Sequence, residues 1–84
     1  MSAPVVVRTV THRERNDRGQ RFGHVGYVQR RTNQKIARYG GKRFASWARL
    51  TIDGIETGCA ERFETFARQA EARKHAEYAA GRLS

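Results

Sequence analysis

The chain's 84 residues suffice for one small domain, and only 15 of them are Val, Phe, Ile or Leu, a thin core stock that argues against a large enzyme with a buried cleft. Seventeen Lys and Arg against eight Asp and Glu leave a formal charge of +9, and Arg supplies fourteen of those cations. The lone cysteine, Cys59, cannot close an internal disulfide, which excludes a secreted disulfide-stapled mini-domain and points to a reducing compartment.

The longest apolar run, Pro4 to Val7, is far too short for a signal-peptide core or a membrane span, so a soluble, cytoplasmic chain is expected. Val5 to Thr11 (VVVRTVT) is β-branched almost throughout and reads as a strand. It runs into Arg13 to Arg21, whose charges, Asn16, Asp17 and Gly19 predict an exposed, flexible loop. Phe22 to Arg31 is a second strand candidate, weakened by Gly23 and Gly26, and Thr32, Asn33 and Gln34 read as a polar turn. Lys35 to Tyr39 then predicts a short strand. Gly40-Gly41 suits a tight hairpin, whose two central residues can both require positive φ.

The clearest strand runs from Lys42 to Ile52. Phe44, Ala48, Leu50 and Ile52 fall on one side, and Arg43, Ala45, Trp47, Arg49 and Thr51 on the other. Asp53-Gly54 follows at once and predicts a two-residue hairpin pairing Ile52 with Ile55 and Leu50 with Thr57. Continued without interruption, that register sets Ala48 against Cys59 and Phe44 against Phe63. It also puts Arg49 beside Gly58 and Trp47 beside Ala60, small residues that leave room for a ligand. From Phe66 to Ala80 the composition turns to Ala, Glu, Gln, Arg and Lys. This predicts a helix with Thr65 as N-cap, Gly81 as stop and an apolar side of Phe66, Ala67, Ala70, Ala76 and Ala80. A start near Cys59, capped by Thr57, is the alternative. Residues 1–84 thus read as one α+β domain: a small antiparallel sheet of three to five strands with one C-terminal helix packed on one face.

Charge is unevenly divided. Residues 1–52 carry twelve Lys or Arg against Glu14 and Asp17, whereas residues 53–84 are close to neutral. A folded chain with that asymmetry presents a positive face, and a polyanion relieves its self-repulsion. The preference for Arg fits planar, two-pronged recognition of phosphate or a guanine edge. Arg43, Trp47 and Arg49 alternate on one strand face, where the ring can stack a base or sugar while guanidinium groups reach phosphates; the bland alternative covers Trp47 with the valines of the first strand. Arg30, Arg31, Lys35, Arg38, Lys42 and Arg43 crowd the preceding hairpin. Its turn would set Arg38 opposite Arg43, an arrangement that favours an anion between them. Arg13, Arg15, Arg18 and Arg21 are secondary candidates for backbone contacts from the loop.

His12, His24, His75 and Cys59 lack the paired spacing of a zinc site, so no metal or cofactor is expected. His24 in its Arg-rich setting would be the one general base for RNA cleavage, but reads as an exposed, idle side chain. Cys59 reads as a small core residue.

GKRFASWARLTIDG, the strand IETGCAERF, then Thr65 and an Ala-rich helix resemble the three-stranded sheet plus helix of ethylene-response-factor-type and integrase arm-type DNA-binding domains. The resemblance spans residues 26–79, through Gly41-Lys42, Trp47, Phe63-Glu64-Thr65, Ala67 and Ala70. It implies a sheet lying in the DNA major groove, with contacts from Arg30, Arg31, Arg43, Trp47 and Arg49. The expectation is therefore a non-catalytic nucleic-acid-binding protein, with DNA preferred over RNA. Two other classes stay open: a phage- or mobile-element-type inhibitor or adaptor that binds an acidic or nucleic-acid-binding host protein complex, and an RNA-cleaving toxin. So small a core also makes a homodimer attractive.

Overall fold

Alternating side chains and β-branched residues direct the first two-thirds of the chain into strands. In the computed structural model, which describes residues 3–32 and 40–83, these are β1 (Val5–Thr11), β2 (Phe22–Arg30), β3 (Phe44–Ile52) and β4 (Ile55–Phe66). They form one antiparallel sheet in the order β1-β2-β3-β4, followed by the C-terminal helix, α1 (Gln69–Leu83), the one helix among the described residues. The expected short strand over Lys35 to Tyr39 lies outside the described residues. Gly40 and Gly41 do both take positive φ, 72° and 78°. The Asp53-Gly54 turn is formed as its sequence demands, with φ of 52° and 82°, and pairs Ile52 with Ile55 and Leu50 with Thr57.

Beyond Thr57 the uninterrupted register is overturned. Ala48 pairs with Glu61 rather than Cys59, and Phe44 with Phe66 rather than Phe63, because two β-bulges lengthen β4. Gly58, Cys59 and Ala60 stand opposite Arg49 alone, and Arg62 and Phe63 opposite Trp47. Gly58 (φ 71°) and Arg62 (φ 54°) supply the left-handed turns these bulges need.

The helix starts at neither expected place. Cys59 to Phe66 carries nothing that forbids a helix, but here it completes the pairing of β3, and Thr65 lies in the ladder opposite Ala45 instead of capping α1. Nor does Gly81 stop the helix, which runs on to Leu83. A Cβ at position 81 would sit 2.6 Å from Arg8 Nη1, and the Arg8 guanidinium donates to the Glu77 carbonyl at 3.2 Å. With the start moved to Gln69, Ala67 and Ala70 are exposed. The buried stripe is Ala72, Ala76, Ala79 and Ala80, a spacing of four, three and one that faces one side of a helix.

That stripe lies close on the sheet because β2 has no side chain beneath its middle. A Cβ at Gly26 would run into the Ala76 carbonyl oxygen. Val28 joins Ala72 and Ala76 in the core, with Val7, Phe44 and Phe66 packed around them. Ser46, fully buried, is bonded to His75 Nδ1 at 2.9 Å. His75 also lies against the Phe66 ring, and burial pushes its imidazole below the ordinary range. None of the described helices is long and apolar enough to cross a membrane.

Candidate nucleic-acid interface

Directly paired residues of neighbouring strands share a face of the sheet. Since Gly26, Val28 and Ser46 meet α1, Tyr27, Gln29, Ala45, Trp47 and Arg49 belong to the other face, the one away from α1. Tyr27 of β2 is directly opposite Trp47 of β3, with ring centroids 5.7 Å apart and planes 26° from parallel. On the far side of Trp47, Phe63 repeats that geometry at 6.1 Å. The three rings form a stacked ridge across β2, β3 and β4, with spacings typical of offset aromatic pairs. Trp47 is half-buried because neighbouring rings flank it, not because the β1 valines cover it: Val6 lies one strand further out, opposite Tyr27. At the outer end of the ridge Phe63 remains 55% exposed.

Arg49 lies next to the ridge and is held in place. Its Nη2 donates to the Gly58 carbonyl at 2.7 Å, and its Nε is 3.9 Å from Glu56 Oε1. The Tyr27 hydroxyl donates to the same carboxylate, at 2.6 Å to Oε2. Burial first, then this hydrogen bond and the negative charge of Glu56, push the phenol up to about 12. Sequence reasoning paired Arg49 with Gly58 correctly; it passed over Tyr27 and Phe63. The period-two pattern marks Tyr27 as a neighbour of Trp47 only once the β2–β3 register is known, and the bulges hid Phe63.

The remaining expected residues divide. Beyond the last ladder pair, the Arg31 amide donates to the Arg43 carbonyl at 2.8 Å, so the like-charged pair at this end of the open face is Arg31 with Arg43. Arg43 and Lys42 are exposed. Arg30 is opposite Phe44, which packs against the helix core, and so does not join Trp47. Lys35 and Arg38, with the proposed pairing of Arg38 and Arg43, lie outside the described residues. Arg13, Arg15, Arg18 and Arg21 are all exposed in a loop organised by Asn16. The Asn16 carboxamide oxygen accepts from the amides of Arg18 and Gln20, and Arg15 donates to the Gly19 carbonyl at 2.7 Å. The loop's end is tied to the β3–β4 turn, where Arg21 and Asp53 exchange amide hydrogen bonds of 3.0 and 2.9 Å.

Two expectations about single residues fail. Cys59 is exposed, not a core residue, because it sits in a bulge of an edge strand. His24 is only 6% exposed, on the helix side of the sheet between Val10 and Leu50. Its Nε2 is 3.4 Å from Glu61 Oε2. Beside it, under the β1–β2 loop, is an open cavity of about 430 Å³ walled by His12, Glu14, Arg15 and Phe22. Among the described residues no three His, Cys, Asp or Glu side chains are arranged to hold a metal ion. No family model, curated protein or solved structure matches the chain.

Proposed function

We propose that this chain is a non-catalytic nucleic-acid-binding module, with DNA as its favoured partner, and that it docks through the sheet face opposite α1. The observation that carries this reading is an aromatic ridge, Tyr27-Trp47-Phe63, on the face away from α1 and exposed at Phe63, accompanied by Arg49, Arg31 and Arg43. Arginine and aromatic side chains together suit an anionic polymer of flat rings, since the guanidinium reaches phosphate or base edge while the ring takes the apolar part. Docking through a sheet face also agrees with what the resemblance to sheet-plus-helix DNA-binding domains implies. The exposed arginines of the β1–β2 loop extend the positive surface toward the phosphate backbone. A non-catalytic role is favoured because His24, buried beside Glu61, and His75, half-buried against Ser46, both lie on the helix side of the sheet and away from this face.

Electrophoretic mobility shifts with duplex DNA, single-stranded DNA and RNA at two salt concentrations test the reading. If about six phosphates are contacted, log K falls against log salt with a slope of about −5. A flat response between low and physiological salt overturns the role of the basic face. Absence of binding at any salt overturns the nucleic-acid reading and favours a protein partner.

A further inference from the structure

The bulges of β4 do more than shift its register: they open a hollow on the aromatic face. Gly58, Cys59 and Ala60 spread opposite Arg49, and Arg62 and Phe63 opposite Trp47, so β4 bows at the place where its neighbours carry their largest side chains. The hollow has a volume of about 280 Å³ and is lined by Gln29, Trp47, Arg49, Cys59, Ala60 and Phe63. It falls just short of the roughly 300 Å³ at which pockets for drug-sized ligands begin, a size suited to one ring system. Its lining is chiefly apolar: two aromatic rings and two small side chains make the walls, and a guanidinium and a carboxamide provide polar edges. Gly58 takes one N–H of Arg49, and a guanidinium has five.

We propose that this pocket receives one unstacked base of single-stranded DNA, its face against Phe63 and its carbonyl edge toward Arg49. The proposal rests on the open face being the nucleic-acid surface and specifies what that surface selects. A duplex hides the faces of its bases and offers only their edges; a pocket with aromatic walls gains from a face, which requires the base to leave its stack. Trp47 is flanked by rings on both sides, whereas Phe63 is 55% exposed and has a ring surface to offer. Thymine strands meet the requirement best, because they stack on themselves least, and thymine has two carbonyl oxygens that can accept from Arg49. Adenine strands must first be unstacked, and adenine has no carbonyl.

Trp47 is the only tryptophan of the chain, so its emission reports directly on the pocket wall. Titrations of the full chain at low salt use oligo-dT, oligo-dA, oligo-rU and a DNA hairpin with the same number of phosphates. The expected result is quenching of Trp47 by oligo-dT and binding about tenfold tighter than the hairpin, with oligo-dA between them. Oligo-rU quenching as strongly also supports the pocket, and assigns selection to the base rather than the sugar. Ala60→Met fills the hollow from an exposed position. It should bring oligo-dT down to the affinity of the hairpin while leaving hairpin binding and the melting midpoint unchanged. Should that variant melt early, Cys59→Leu fills the hollow from another exposed position outside the ridge and carries the same expectation. Strands that bind without moving Trp47 emission, or pocket variants that bind oligo-dT like the parent, overturn the pocket and leave the face intact. Failure of every strand to bind at low salt overturns the face itself.

Discussion

The two sides of the sheet are built on opposite principles. Toward α1 the middle of β2 and β3 presents Gly26, Ser46 and Ala48, and the helix answers with Ala72, Ala76, Ala79 and Ala80. On the other side the same strands present Tyr27, Trp47 and Arg49. A chain with few large aliphatic residues stabilises its fold by closeness on one side, where small residues let backbones approach and every atom has near neighbours. Tyr27, Trp47 and Arg49 are then left for the side away from α1. Tyr27, Trp47 and Phe63, residues that would ordinarily help make a core, stand here on the open side, which makes them available for recognition.

The strongest way to break this contrast is Gly26→Val. Valine favours strands, so local propensity cannot account for a loss; its Cβ meets the Ala76 carbonyl, a backbone group that cannot swing away. The expected cost is about 3 kcal/mol or more, seen as a fall of more than about 10 °C in the thermal midpoint. A variant that melts with the parent would show that α1 does not rest on β2.

A paired comparison sharpens the division. Trp47→Ala removes the middle of the ridge and should weaken oligonucleotide binding by about 1 to 3 kcal/mol. It should also cost some stability, since each aromatic pair lost contributes about 0.5 to 1.5 kcal/mol. Leu50→Ala, on the helix side but half-buried beside His24 and the loop cavity, should cost about 2 kcal/mol in folding and leave binding unchanged. Isotherms and melts on both variants decide the matter. Binding lost in Leu50→Ala, or retained in Trp47→Ala, would reverse the roles of the two faces.

On the helix side, pH is a gentler probe. Burial lowers the folded pKa of His75 from 6.5, so the folded state binds fewer protons there than the unfolded state. The resulting stability is complete above pH 6.5 and is lost as pH falls from that value through the folded pKa. Urea midpoints between pH 7.5 and 4.5 should therefore decline. His75→Gln, which can still bond Ser46 but does not titrate, should flatten this part of the profile; an unchanged slope would mean that other groups are responsible.

The smallest expected effect is on the open side. Glu56→Gln removes the negative charge shared by Tyr27 and Arg49. The phenol, now raised to about 12, should fall by part of the difference from 10, because desolvation is the larger cause and remains. Spectrophotometric titration of tyrosine absorbance measures this, and no movement would place Glu56 outside the network. The same change adds one positive charge to the face and should slightly strengthen salt-dependent binding.

Much of the architecture was legible in the chain. β1, the Asp53-Gly54 hairpin and the two-sided character of β3 follow from short-range rules, because β-branched runs, a turn residue pair and period-two alternation act within a few residues of one another. The opposition of Arg49 and Gly58 was legible for the same reason, being close to the turn that sets the register. The rest was not local. Cys59 to Phe66 is compatible with helix or strand, and only its pairing with β3 settles which; the bulges at Gly58 and Arg62 then displace every pairing from Cys59 onward. From that displacement follow the exposure of Cys59, the position of Phe63 beside Trp47 and the hollow between them. Similarly, Gly23 and Gly26 weaken a strand by propensity but are required by neighbours far along the chain, the Val10 carbonyl and the Ala76 carbonyl. Composition and pattern determined that there would be a basic sheet with one alanine-rich helix, since those depend on sums over the chain. Which arginines stand together, which rings stack and where a ligand can enter depend on register and on close approach between distant segments, and only the tertiary structure decided them.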